Sequence, residues 1–235
     1  TAFPIYQVIH RFPPILPNLN QCRYNFLAFI RNHSLNSCIR PIRTNPFPMT
    51  IQQDNSPINQ LRLKDRGKDD AWIAAFWQKV PFGILATEHA GQPFQKPTLF
   101  VYAPEEHAIY FHGALEGRLP QNLRANPRAS FCAAEMGRLL PADTAMEFGV
   151  EYASAVAFGP VRVLTDPVDA ERALQLLLDR YFPHLKPGED YQPIIPEELA
   201  ITAVYRLDIE AWSGKEDVSP ADFPGAFKFP YPEKG

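Results

Sequence analysis

Residues 1–48 contain no Asp, Glu or Lys, yet they carry five Arg and seven Pro, and the first acidic residue of the chain is Asp54. A segment so interrupted by proline cannot sustain helical or strand periodicity. It reads as an extension outside the folded domain, with Met49 as the natural start and residues 49–64 as a leader. Arg-rich, acid-poor composition also fits an organelle transit peptide, but the prolines spoil the amphipathic helix that such a signal needs.

Other things are scarce across the whole chain. There is no long basic run, and 23 Lys and Arg against 26 Asp and Glu leave a net charge of −3, which disfavours a nucleic-acid partner. Three widely spaced cysteines, Cys22, Cys38 and Cys132, form neither a Cys-x-x-Cys pair nor a Cys/His cluster, which argues against a disulfide scaffold and a zinc site. No run approaches the roughly 18 apolar residues of a bilayer span. The expected location is a reducing cytoplasm, with no membrane partner. Gly-x-Gly-x-x-Gly, a Walker loop and a Gly-x-Ser-x-Gly elbow are all missing, so the common dinucleotide, P-loop and hydrolase folds are disfavoured.

What is present is a globular core: 46% hydrophobic and 12% aromatic residues. Asp69-Asp70 precede apolar positions 72, 73, 76, 77 and 80, the spacing of one helical face, and Pro81 ends it. Trp72, Phe76 and Trp77 on that face are expected in the core rather than against a cofactor. Strands are expected at about 82–87, 94–102, 108–112, 128–134, 152–164 and 203–210, with turns at His89-Ala90-Gly91 and Pro104-Glu-Glu-His107. Gly159-Pro160 reads as a bulge or bend. Asp166-Pro167 opens a helix with Ala170, Ala173, Leu174, Leu177, Leu178 and Tyr181 on one face. A short helical turn is expected at Pro196-Glu-Glu-Leu, residues 136–141 as a loop that packs across a dimer or covers a substrate, and residues after Lys215 as a loose tail. Glu147, Glu151 and Tyr152 read as solvated or interface residues. Short strands with turn signals and few helices indicate a closed or partly open antiparallel barrel.

The most informative stretch is Ile109-Tyr-Phe-His112-Gly113-Ala114, then Gly117-Arg118 and a helix holding Asn122 and Arg124. A strand runs through two glycines into a helix N-terminus beside a forked cation, an arrangement suited to an anion such as a ligand phosphate. Alone, the same pattern is also an ordinary strand-to-helix turn with a solvated Arg. His89, His107 and His184 lie in turns and do not form a metal cluster.

Pro81-Phe-Gly-Ile-Leu-Ala-Thr87, Gly91-Gln-Pro-Phe94, Ile109 to Ala114, Gly117-Arg118, Asn126-Pro127-Arg128, Tyr152-Ala-Ser154 and Trp212-Ser-Gly-Lys215 follow in an order that resembles the pyridoxamine 5′-phosphate oxidase-like family of FMN-binding split barrels. The branch it resembles is the flavin-nucleotide-binding one, akin to the nitroimidazole-resistance proteins. The resemblance spans about Leu63 to Glu216 and implies a mainly β chain with flanking helices: an antiparallel six-stranded split barrel over residues 65–216, with a flexible tail at 217–235. It also implies a homodimer with FMN in grooves between the subunits. Lys96, Pro97, Thr98 and Leu99 would lie beside the isoalloxazine and ribityl chain, and His112, Gly113 and Ala114 would border the cofactor. Gly117, Arg118 and Asn122 would hold the phosphate, and Trp212 and Lys215 would close the groove from the other subunit.

His112 is the candidate catalytic residue, able to donate a hydrogen bond to the ring or a reactant. The implied activity is hydride transfer from NAD(P)H to FMN and on to a small organic acceptor, a nitroaromatic among the candidates. The alternatives are a flavin-binding protein without turnover and a haem-handling split barrel. The family's oxidases have basic residues where this chain has Leu119 and Val101, so Arg118 is the main expected phosphate cation, with Lys96 or Arg124 assisting. The basic residues that would hold a pyridoxamine phosphate are not recognisable, so vitamin B6 oxidation is not supported.

Overall fold

A computed structural model describes residues 57–230. The extension at 1–48 and part of the leader therefore lie outside the described residues. Strand β1 (Gly67–Lys68) leads into helix α1 (Asp70–Lys79), whose cap Asp69 accepts a hydrogen bond from the Trp72 amide. Two long hairpins and a helix follow: β2 (Gly83–His89), β3 (Gln92–Thr98), β4 (Val101–Ala103), β5 (Ala108–Ala114), α2 (Arg118–Ala125), β6 (Arg128–Leu140) and β7 (Gly149–Val163). Helices α3 (Pro167–Tyr181) and α4 (Pro196–Ile201) precede β8 (Thr202–Asp208), β9 (Ala211–Asp217) and β10 (Phe227–Lys228).

The sheet is antiparallel in the order β3-β2-β6-β7-β8-β5-β4, with β9 also on β7, β1 on β9 and β10 on β6. Its two ends, β3 and β4, are consecutive in the chain but not hydrogen-bonded to each other, so the barrel stays split. This is the expected fold class. Helix α1 lays Ile73, Phe76 and Trp77 onto Phe100, Phe111 and Phe131, and burying each large apolar side chain contributes about 1.5–3 kcal/mol. Helix α3 covers a second cluster with Ala170, Ala173 and Leu177 over Val101, Tyr110 and Val204. Trp77 and Phe76 are core, as their spacing indicates, and Trp72 packs against the same cluster, stacked on Phe76.

Several expectations are corrected. The strand expected at 94–102 breaks at Leu99-Phe100, where the Tyr181 hydroxyl of α3 bonds the Phe100 amide and carbonyl and pins the chain as it crosses from one sheet edge to the other. Gly159-Pro160 is not a bulge, since the β6–β7 ladder runs unbroken through it. It is the bend where β7 exchanges β9 for β8, and a Cβ on Gly159 would lie 1.8 Å from the Asp208 carbonyl oxygen. The bulge lies instead between Met136 and Leu139, in a segment that is strand rather than loop.

Residues 216–228, expected as part of a loose tail, are tied down as well. Arg138 pairs with Glu151 at 2.6 Å and donates to the carbonyls of Ser219, Pro220 and Ala221, while Phe227 and Lys228 pair with Leu139 and Arg138. Glu151 is buried, not solvated, and the Arg138 hydrogen bonds together with the Ser219 amide pull its pKa down to about 2. Trp212 does not end the alternating strand at 203–210. It belongs to β9, with its ring 4.5 Å from that of His107 and its indole N–H donating to Asp70.

Candidate functional site

The split between β3 and β5 is where the expected residues gather. Register places Lys96 opposite Leu85, whose side chain is fully buried, so Lys96 projects from the core-facing side of an edge strand. Its Nζ reaches across to the His112 carbonyl oxygen at 3.2 Å. A Cβ on Gly113 would meet that same Nζ at 2.6 Å, so β5 admits the ammonium only because residue 113 has no side chain. Burial in this seam lowers the Lys96 pKa.

Beyond Ala114, Gly117 takes φ +114° and becomes the residue before α2, with open space where a side chain would be. The first-turn amides of α2 and the Arg118 guanidinium are presented together, and Arg118 lies over the Phe94 ring at 5.8 Å. Among the described residues Arg118 has no acidic partner, and neither does Lys96. Arg124, on the same helix, is close enough to lower the pKa of Tyr205, whose hydroxyl donates to the Ala114 carbonyl and whose pKa burial otherwise raises.

The structure thus brings Lys96, Gly113, Ala114, Gly117 and Arg118 into one neighbourhood and arranges the others differently. Asn122 is buried and donates to the Thr87 hydroxyl at 3.0 Å, so it fastens α2 to β2. Thr98 donates to the Leu99 carbonyl, Pro97 is exposed, and Leu99 is exposed at the crossing between edges. His112 alternates with Gly113, so its imidazole faces away from Lys96 toward α3, where it lines a cavity of about 370 Å³ with Leu174, Leu178 and Tyr181. Burial first, and the Lys96 charge second, lower the His112 pKa.

Trp212 and Lys215 lie on β9, outside this neighbourhood, with Lys215 over the Tyr152 ring at 5.7 Å. The walls contributed by α3 were missed in the sequence. Their signal was the pair Leu174 and Leu178, one turn apart beside a stripe already sufficient to pack the helix.

Among the described residues no helix covers the outer face of β2, β6 and β7. Ile84, Cys132 and Val156 stand side by side across β2, β6 and β7, continued by Ala134 and Met136, and this carpet of small and apolar side chains is partly or fully exposed. Burial raises the Cys132 pKa. Among the described residues no group of His, Cys, Asp and Glu could hold a metal ion, and no helix is long and apolar enough to cross a membrane.

An open antiparallel sheet whose edges meet at a seam, with helices packed against it, defines the split-barrel class. The chain belongs to the pyridoxamine 5′-phosphate oxidase family, whose model matches residues 69–216, more than half of its length. Solved structures of similar fold include the flavocytochrome Anf3 from Azotobacter vinelandii, at 24% identity and a TM-score of 0.60 over 68% of this chain and 73% of that one. The FAD and haem binding protein from Mycobacterium smegmatis aligns at 21% identity and TM-score 0.59, covering 66% of this chain and 74% of its own. A protein described as a candidate 5-nitroimidazole antibiotic resistance protein from Bacteroides thetaiotaomicron aligns at 17% and 0.52, covering 63% and 84%. No curated protein matches the chain.

Proposed function

We propose that the chain is an FMN-dependent oxidoreductase working as a homodimer. The observation that carries this reading is the pair of cations without acidic partners among the described residues, Lys96 on β3 and Arg118 over the Phe94 ring of the same strand, next to a glycine-initiated helix N-terminus. Cations that no carboxylate neutralises are free to make charge-assisted hydrogen bonds to a ligand phosphate. At Gly113 the missing side chain leaves room for the Lys96 ammonium, and at Gly117 it leaves open space, so backbone can come close to a ligand there.

In this reading Arg118, the α2 amides and Lys96 hold the phosphate and the polar edge of the ring, while Thr98, Leu99 and Ala114 border the ring. His112 presents its imidazole on the α3 side of β5, where desolvation first and the Lys96 charge second lower its pKa. The bound flavin supplies two-electron chemistry between NAD(P)H and a small organic acceptor. The uncovered face around Ile84, Cys132 and Val156 supports a second copy as partner, with Trp212 and Lys215 closing the groove from that copy.

The test is the absorbance spectrum of the purified full chain, followed by anaerobic mixing with NADPH or NADH. A yellow dimer whose colour bleaches supports the oxidoreductase. A yellow dimer that does not bleach supports a flavin carrier without turnover, and a colourless single subunit that takes up no added flavin sinks both. Chromatography of the released pigment separates FMN from FAD, which matters because one relative of the fold is named for FAD and haem.

A further inference from the structure

Strand β5 divides two chambers. On one side lie Gly113 and the Lys96 ammonium; on the other, alternation sends His112 toward α3. The second chamber, about 370 Å³, is walled by Leu174, Leu178 and Tyr181 of α3, Ile201 of α4, Leu99 and His112. That volume lies within the range of small-ligand sites, and its walls are hydrocarbon apart from a few groups. The one formally charged group on its wall is the Glu198 carboxylate, and Thr202 adds a hydroxyl. Glu198 also accepts from the Ile195 amide, so its position is set by the start of α4.

This composition selects a ligand. Neither Lys96 nor Arg118 lines the chamber, so an anionic ligand would meet hydrocarbon and a carboxylate with no cation to offset its loss of water. A flat ring fits between the leucines and Tyr181, and one carbonyl oxygen could accept from the His112 N–H. We propose that this chamber binds a neutral, flat aromatic compound carrying a hydrogen-bond acceptor. Binding in this chamber needs no flavin and stands apart from the function proposed above. His112 joins the chambers, its carbonyl taking the Lys96 ammonium and its ring lining the apolar side.

The experiment is calorimetric titration of the full chain, as purified, with 2-acetylnaphthalene and with 2-naphthoate, two probes of similar size differing by one negative charge. The ketone is expected to bind and the naphthoate to bind at least roughly ten-fold more weakly, a difference of about 1.4 kcal/mol. Ile201 is 73% exposed, so Ile201→Glu leaves the fold intact and should raise the ketone Kd at least roughly ten-fold. Leu178→Phe, which narrows the chamber without adding charge, should also weaken the ketone. Glu198→Gln should improve naphthoate binding selectively.

Equal affinity for the two probes, no binding of the ketone, or ketone binding untouched by both Ile201→Glu and Leu178→Phe would each overturn the proposal. So would a Soret band in the purified protein abolished by His112→Ala, which would assign the chamber to a porphyrin. A colourless protein that takes up no added flavin yet shows the expected probe pattern keeps the chamber and sinks the flavin reading; a yellow protein that ignores the ketone does the reverse.

Discussion

Two groups of cations at opposite ends of β5 differ sharply in their partners. At the outer surface of β5, β8 and α3, Arg172 and Arg206 converge on Glu106, at 2.7 and 2.6 Å, with the Tyr110 hydroxyl also bonded to the same carboxylate. At the other end of β5, Arg118 and Lys96 have no carboxylate at all, among the described residues. The first group is fully spent on holding α3 and the 104–106 turn to the sheet. The second makes no comparable ion pair, and that surplus, rather than the mere presence of basic residues, is what the proposed ligand site rests on.

The contrast can be broken first on its structural side. Glu106→Ala strands Arg172, Arg206 and Tyr110 together, and losing charged hydrogen bonds should cost about 2–3 kcal/mol of stability, read by denaturant unfolding. Arg118→Ala should do the opposite. Its unfolding free energy should stay within about 0.5 kcal/mol of wild type, while FMN affinity falls by roughly ten-fold or more, measured by flavin fluorescence titration. If Arg118→Ala proved as destabilising as Glu106→Ala, the division would be wrong.

Acid sharpens the same point at Arg138. Glu151 has its pKa lowered from 4.5 to about 2 by Arg138 and the Ser219 amide. Its contribution is therefore present above the unfolded value and is lost as pH falls through the folded one. Between about pH 4.5 and 2, Glu151→Gln should flatten the fall in stability that wild type shows, by acid titration of the melting transition. The smallest expected effect is that of removing residues 1–48. Melting temperature and flavin uptake should not change, and loss of either would show that the extension belongs to the folded unit.

Much of the scaffold was legible because it is written locally. Asp69 and Asp166 cap the helices they precede, and Pro81 stands just beyond the end of α1. The glycine-containing turn at Ala90-Gly91 takes positive φ at both residues and joins β2 directly to β3. What escaped reading depends on partners far away in sequence. Residues 136–140 look like a loop because Gly137 and Arg138 interrupt the apolar run, yet Arg138 is satisfied by a glutamate across the hairpin and by carbonyls some eighty residues later. Glu151 looks solvated until that arginine is placed.

Within the site, the helix start at Gly117-Arg118 was readable, but the fact that Lys96 and His112 share a contact through a backbone carbonyl was not. β3 and β5 are not hydrogen-bonded neighbours, so no ladder pattern announces the contact. Asn122 shows the converse: its position matched the motif, while its side chain is committed to Thr87.

Gly113 carries a consequence out of proportion to its size. A methyl group there would occupy the volume now filled by the tip of Lys96, and since that tip ends a flexible chain it could swing aside at little expense to folding. A single Gly113→Ala change would then leave the inventory of charges untouched while relocating one of them, so that two homologues differing by one carbon atom could carry the same ammonium in different places.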